Sequence, residues 1–382
     1  SEVVKSPGIP DSIPVIQEIR KKQIPVISEI EFAGRYTSAK KVCITGSNGK
    51  TTTTLLTHHI LQNAGVHAGL AGNVGSSFAE QVAKENFDMY TLEISSFQLD
   101  GMFDFKAEIA VLMNITPDHL DRYNGDFQRY VDSKFRILNN QDQNDALIFC
   151  QDDPVIRKEL EKRNIKAKMY PFSIREKVRG EGAYLHENQM VINIKRTEVI
   201  MTLEELALQG KHNIYNSMAA GIATRLLDIR KDNIKNSLSD FQNIEHRLEY
   251  VSTIHGIDFI NDSKATNINS TWYALESASE PIVWIAGGID KGNEYSLLKE
   301  LVQKKVKAIV CLGIDNIRIH KAFADLVPAI IETRSASDAV KKAFALADHG
   351  DTVLLSPACA SFDLFNNYED RGRQFKEAVK EL

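Results

Sequence analysis

The stretch Ile44–Thr54 reads ITGSNGKTTTT, and its reading decides the fold. In the common phosphate-loop pattern, four residues separate a first glycine from Gly-Lys-Ser/Thr. Here only Ser47 and Asn48 lie between Gly46 and Gly49, and Ile44 stands where the first glycine would be. What a phosphate needs is nevertheless present. Backbone N–H groups can converge from Gly46, Asn48 and Gly49, a helix can begin behind them, and Lys50 can spread the charge. Thr51 offers the hydroxyl that meets Mg²⁺ in such loops. The flanks agree: KVCIT (41–45) is a short β-branched run that predicts a strand. TTTTLLTHHILQNAG then places Leu55, Leu56, Ile60 and Leu61 at helical spacing, with Gly65 as a stop.

Outward from this loop, apolar runs at 88–94, 107–114 and 146–150 alternate with helical patterns, notably 127–138. That alternation predicts an α/β fold with a mostly parallel sheet. Residues 182–206 alternate with period two, turning at Glu187–Asn188 and near Arg196, and predict a small antiparallel element beside the sheet. From about Arg247 the pattern restarts. A hairpin over 249–260 turns at His255–Gly256, strand candidates follow at 282–288, 308–313, 329–333 and 352–357, and a helix covers 370–382. This predicts a second, doubly wound Rossmann-like unit. The expected domains are 1–38 as the tail of a further domain, 39–245 as a central nucleotide-binding domain, and 246–382 as a C-terminal domain. The first residue is Ser1 rather than Met, so the chain is expected to be trimmed or to begin partway through something larger.

Composition narrows the function. With 382 residues, 43% hydrophobic and 25% charged, the chain has the balance of a soluble globular protein. No apolar run approaches the ~18 residues of a membrane span. A formal net charge of −5 argues against a nucleic-acid partner. The four cysteines, Cys43, Cys150, Cys311 and Cys359, show no paired spacing and read as buried thiols in a reducing cytoplasm.

Several further residues carry chemistry. A magnesium nucleotide needs an acidic partner at a neighbouring strand end, and Glu93 in MYTLEISSFQ follows an apolar run. On the residues alone it reads equally as a solvent-facing strand end. NITPDHLDRY presents His119 between Asp118 and Asp121, a position open to a surface role as well. Lys134 could be one more solvated helix lysine. Buried beside charges, however, its amine could take up CO₂ as a carbamate and become an oxygen ligand for Mg²⁺. In the second unit NDSKATN (261–267), AGGIDKG (286–292) and LSPACASFDLF (355–365) lie where strand carboxyl ends are expected. Their Lys264, Thr266, Lys291 and Ser361 suit a substrate bearing carboxylates.

Taken together, SPGIP, TGSNGKTT, GNVG, LEISSFQL, NITPDHLDRY, the Ser133–Lys134 pair, GKHNIYN, HRLE, NDSKATN, GGIDKG and LSPACASFDLF resemble the Mur ligases over nearly the whole chain. LEISSFQL, DHLDRY and LSPACASFD are similar to the members that add D-glutamate. The resemblance implies that ATP phosphorylates the carboxylate of UDP-N-acetylmuramoyl-L-alanine and that the D-glutamate amine displaces phosphate. It implies a nucleotide held by Gly46, Ser47, Asn48, Gly49, Lys50, Thr51 and Thr52, with Asn213, Asn216, Arg247 and Asp262 at adenine and ribose. One Mg²⁺ would be held by Thr51 and Glu93, and a second by His119 and carbamylated Lys134. Asn73 and Lys264 would orient the carboxylate, and Ser95 and Gln98 would lie at the substrate. D-glutamate would meet Thr266, Lys291, Ser361 and Phe362 near Tyr368, while Ser6, Pro7 and Gly8 would touch the diphosphate. A hinge near His246–Arg247 and a monomer are implied as well.

Two other readings stand beside this one. A folylpolyglutamate synthase would also join glutamate to a carboxylate through an acyl phosphate, and shares the phosphate loop; SPGIP favours the UDP-muramoyl acceptor. A nucleotide-binding module without turnover is the second, against which stand the intact Lys50, Glu93, His119, Lys134 and Lys264.

Overall fold

The computed structural model describes all residues except Gly8, Pro10, His119 and 242–244, and all side chains except those of these residues and of Asp121, Asn269, Tyr273 and Ser277. The chain divides into two compact units, Ser1–Phe241 and Gln242–Leu382.

In the first unit, β1 (Val3–Lys5) pairs in parallel with β2 (Val26–Ser28). The main sheet is built from β3 (Lys40–Thr45), β4 (Ala68–Gly72), β5 (Met89–Glu93), β6 (Ile109–Leu112) and β7 (Ala146–Cys150). It continues through β8 (Lys168–Ser173), β9 (Gly182–His186), β10 (Gln189–Ile194) and β11 (Thr197–Thr202). Among the described residues these make nine strands in the order β11-β10-β9-β8-β7-β6-β3-β5-β4. From β4 to β9 the pairing is parallel, and β9, β10 and β11 are antiparallel. The period-two segment is therefore two hairpins extending the same sheet, joined to it where Phe172 and Ser173 pair with Ala183 and Tyr184. Its turns lie at Glu187–Asn188 and Lys195–Arg196, and Glu187, Lys195 and Arg196 take positive φ of 52°, 52° and 58°.

Strands β6 and β7 are buried on both faces, as expected of a parallel sheet covered by helices. One covering helix is Lys50–Asn63, which packs against Lys211–Leu226. The latter carries Ala219, Ala220 and Ala223, small side chains with no exposure. On the other face Ile30 and Ala33 of the helix Glu29–Gly34 join the core of Cys43, Phe78, Tyr90, Leu92 and Phe105. Because β3 lies between β5 and β6, the strand order reverses beside it. Open α/β sheets bind ligands at such a reversal, beyond the strand carboxyl ends, and the glycine loop begins there.

The second unit holds β12 (Glu249–Ile254), β13 (Ile257–Asn261), β14 (Ile282–Ala286), β15 (Val306–Leu312), β16 (Ile330–Thr333) and β17 (Thr352–Leu355). Their order is β12-β13-β17-β14-β15-β16, with β12 alone antiparallel among the described strands. Two apolar layers sandwich this sheet. Trp284, Phe323 and Leu354 belong to one, and Phe259, Ile285 and Phe375 to the other. Among the described residues, no helix is long and apolar enough to cross a membrane.

Candidate active site

The loop Gly46–Gly49 joins β3 to the helix that starts at Lys50. Gly49 sits at φ 83°, and a Cβ there would lie 2.6 Å from Asn216 Oδ1. Backbone conformation and space therefore both require glycine at this position. Asn114, two residues beyond β6, clamps the loop from the side. Its Oδ1 accepts from Asn48 N (2.8 Å), its Nδ2 donates to Asn48 O (3.0 Å), and its carbonyl accepts from Ser47 N (2.9 Å). Ser47 Oγ lies 2.9 Å from Tyr130 Oη and donates to Thr116 O at 2.8 Å. Behind the loop Asn216 Oδ1 accepts from Thr53 Oγ1, while its Nδ2 donates to Asn213 Oδ1 at 3.0 Å. These contacts hold the shortened loop from both sides. The Lys50 ammonium folds back over it, donating to Gly46 O and Ser47 O at 2.8 Å each.

Register brings the acidic partner to the loop. Glu93 ends β5 opposite Ile44 of β3, and Ile94 N donates to Ile44 O. The Glu93 side chain is 2% exposed, so the solvent-facing reading does not describe it. Its Oε1 accepts from Asn73 Nδ2 at 2.7 Å, and Oε2 is buried without a hydrogen-bond partner among the described residues. Thr52 Oγ1 is likewise buried and without a partner, and Thr51 is buried beside it. A buried carboxylate oxygen with no donor calls for a cation. Hard oxygen donors next to a phosphate loop fit Mg²⁺.

Lys134, in the helix Phe127–Phe135, is fully enclosed. Its Nζ donates to Gly46 O (2.9 Å) and Thr45 Oγ1 (3.2 Å) and lies 5.2 Å from the centre of the Tyr130 ring. Burial, reinforced by the Lys50 charge, pushes its pKa well below the usual lysine range. The neutral amine that CO₂ uptake requires is thereby favoured. His119 and Gly8 lie outside the described residues. In the preceding residues, Pro7 O accepts from Arg122 at 3.1 Å, and the Arg122 guanidinium stacks on Phe97, while Ser6 O accepts from Ile9 N.

The second unit collects its sequence-predicted residues on three loops that follow strands. Lys264 N donates to His246 O, and its Nζ lies 5.3 Å from the centre of the Tyr368 ring. Thr266 is half-buried and Ser361 buried, whereas Lys291 and Phe362 are exposed. Asp262 accepts from Leu248 N and Ser356 Oγ. Burial raises its carboxyl to about 7, against the pull of Arg247.

Two family models match the chain: Mur ligase middle domain over residues 44–224, and Mur ligase, glutamate ligase domain, over 246–359. The UDP-N-acetylmuramoylalanine–D-glutamate ligase of Bacteroides fragilis is 57% identical over 386 residues, covering 100% of this chain and 86% of that protein. The chain belongs to the Mur ligase family. The protein of the same name from Porphyromonas gingivalis is 50% identical, covering 100% of this chain and 85% of its own. Among solved structures, a pseudomurein peptide ligase type C from Methanothermus fervidus has a TM-score of 0.70 at 18% identity, covering 96% of this chain and 84% of its own. The MurF ligase of Thermotoga maritima in complex with ADP has a TM-score of 0.67 at 15% identity, covering 96% and 91%. These two show the shared Mur ligase fold.

Some expected residues of this Mur ligase already have structural partners. Ser95 and Gln98 form a capping box on the short helix Ser96–Leu99. Asn213 donates to Gln209 O while accepting from Asn216. Three further residues escape a sequence reading. Asn114 and Tyr130 hold the glycine loop, as described. Arg371, 1% exposed, donates to Ser263 Oγ (2.9 Å), Ser263 O (2.8 Å) and Cys359 O (3.2 Å). It thereby ties the Lys264 loop to the Ser361 loop. Burial lowers its guanidinium to about 10. The only signal in the sequence is an arginine between Asp370 and Gly372, near the start of the last helix.

Proposed function

We propose that this Mur ligase joins D-glutamate to UDP-N-acetylmuramoyl-L-alanine, converting ATP to ADP and phosphate, as a step of peptidoglycan synthesis. The observation that carries the reading is similarity over the whole of this chain, and 86% and 85% of the relatives, to proteins bearing that name, in a chain whose phosphate loop lies by a buried carboxylate oxygen without a partner among the described residues.

The chemistry follows from charge. A substrate carboxylate oxygen attacks the γ-phosphorus, the bond to the bridging oxygen breaks, and ADP leaves an acyl phosphate. The amine of D-glutamate then attacks the acyl carbon, phosphate departs, and a proton is released as the amide forms. Two anions meet in the first step, so charge neutralisation is the main demand. Lys50, now bonded to the loop's own carbonyls, would turn to the β- and γ-phosphates. Magnesium, when bound, supplies charge neutralisation at the transferring phosphoryl group; Thr51 and Glu93 would hold one ion, and His119 with carbamylated Lys134 a second. Carbamate formation joins the neutral Lys134 amine to CO₂ and releases one proton. Asn73, already oriented by Glu93, and Lys264 would align the reacting carboxylate. Thr266, Lys291 and Ser361 are the residues proposed for the amino acid, and Ser6 and Pro7 for the diphosphate. A nucleotide-linked precursor fits a reaction in the cytoplasm, which is the location proposed.

The test is phosphate release from ATP and Mg²⁺ with UDP-N-acetylmuramoyl-L-alanine, adding D-glutamate or L-glutamate in turn. The reading expects release that needs both the UDP-sugar and the D isomer. Release supported by a folate acceptor, or by L-glutamate alone, would overturn it.

A further inference from the structure

A second cluster of ligating side chains lies in the second unit, on residues given no role above. Cys311 on β15 and Glu332 on β16 are register partners in a parallel pair, so their side chains share one face of the sheet. The helix Ile317–Phe323 brings His320 to the same place. The Cys311 Sγ, a His320 ring nitrogen and a Glu332 carboxylate oxygen lie within 4.8 Å of one another. Among the described residues, this is the one group of three such donors. His320 Nε2 shares a hydrogen bond with Glu332 Oε1 at 2.7 Å, and Asn316 Nδ2 donates to Glu332 Oε2 at 2.7 Å. One carboxylate oxygen is thus fixed by an amide, while the other is shared with the imidazole next to a thiol.

We propose that Cys311, His320 and Glu332 form a binding site for a thiophilic divalent cation of the zinc class. A thiolate, a neutral imidazole and a carboxylate give three protein ligands and leave a fourth position for water, the donor count of open zinc sites. Zinc–donor bonds of about 2.0–2.3 Å place tetrahedral donors roughly 3–4 Å apart. The present donors lie within 4.8 Å of one another, slightly wider than that spacing. Two anionic ligands balance the dication, so binding releases the thiol proton and brings no net charge into the partly buried pocket. Entry is open because the His320 and Glu332 side chains are 41% and 52% exposed, while the buried Cys311 supplies the soft anchor beneath. Asn316, itself 5% exposed, is the outer-shell group that orients the carboxylate, a role such residues commonly play. A hard cation such as Mg²⁺ would be rejected by the sulfur and nitrogen donors.

The test uses Co²⁺ as the probe on the full chain. Co²⁺ titration should produce a thiolate-to-cobalt charge-transfer absorption that saturates at one equivalent and is bleached by Zn²⁺. Cys311→Ser should abolish the band. His320→Gln, at a half-exposed position that does not threaten folding, should weaken Co²⁺ binding by about tenfold or more. No band with Co²⁺ in excess would overturn the proposal. So would a band unchanged in Cys311→Ser, which would place the metal on another cysteine, or one whose affinity His320→Gln leaves intact.

Discussion

Replacing Lys134 with methionine separates what this side chain contributes to folding from what it contributes to chemistry. The amine makes two hydrogen bonds, to Thr45 Oγ1 and Gly46 O, which together contribute about 1–3 kcal/mol at the usual net value per bond. Their loss strands neither acceptor. Gly46 O keeps its bond from Lys50 Nζ, and Thr45 Oγ1 keeps donating to Ile94 O at 2.7 Å. Against this, the change also removes the cost of taking a polar head group out of water, about 1–3 kcal/mol on protein mutational scales. Lys134→Met should therefore unfold in urea within about 2 kcal/mol of the native chain. The pH dependence has a definite sign. A buried lysine whose pKa is lowered is neutral in the folded state while the unfolded chain still binds the proton. In CO₂-free buffer, where the amine is unmodified, stability thus rises with pH from the depressed value up to the unfolded pKa of about 10.4. Lys134→Met should lose that slope. Ligase turnover, measured as phosphate release, should fall about 100- to 1,000-fold, the usual cost of removing one preorganised charge stabiliser. Native turnover should decline in CO₂-free buffer and return with bicarbonate, whereas the residual turnover of Lys134→Met should respond to neither. A variant within a few-fold of native turnover, or a native chain indifferent to CO₂, would refute the reasoning.

Other consequences can be measured directly. Glu93→Gln removes the charge from the carboxylate with the partnerless oxygen; the Mg²⁺ concentration for half-maximal turnover should rise about 10- to 100-fold with the melting temperature unchanged or higher. Arg371→Met cuts all three tethers between the Lys264 and Ser361 loops. The KM for D-glutamate should rise about tenfold or more while ATP affinity holds, and Arg371→Lys should restore only part, since an ammonium cannot reproduce the planar fork. With its carboxyl raised to about 7, folded Asp262 holds a proton that the unfolded chain has lost above about 4. Its contribution then falls as pH rises from about 4 to 7, at up to about 1.4 kcal/mol per pH unit. Asp262→Asn should flatten that part of a urea-denaturation pH profile.

Much of the architecture was legible because it rests on local patterns. β-Branched runs mark β3 and β6, alternation with turn residues marks β9 to β11, and the restart near residue 247 marks the second unit. What escaped was decided by packing. β4 is AGLAG, without a β-branched residue, and a Cβ on its Gly69 would lie 2.6 Å from the Tyr90 ring. β8 contains Pro171, normally a mark against a strand in a sheet, and pairs with β9 through only two residues. At the site, the glycine loop and Lys50 follow from spacing, since strand, loop and helix are contiguous, whereas Glu93 reads from sequence only as a strand end and its burial comes from packing. The burial of Lys134 does not follow from spacing either, because a helix lysine looks the same in sequence whether it faces solvent or the carbonyl of a loop 88 residues away. For the same reason Asn114 and Tyr130, whose work is to hold that loop, carry no motif of their own.

The central claim is that a substrate carboxylate is phosphorylated before the amide forms. The most direct measurement supplies UDP-N-acetylmuramoyl-L-alanine with ¹⁸O in its terminal carboxylate, together with ATP, Mg²⁺ and D-glutamate, and follows the label by mass spectrometry. An acyl phosphate predicts that one ¹⁸O per turnover leaves in the released phosphate and the other stays in the new amide. Phosphate released without ¹⁸O would contradict the account.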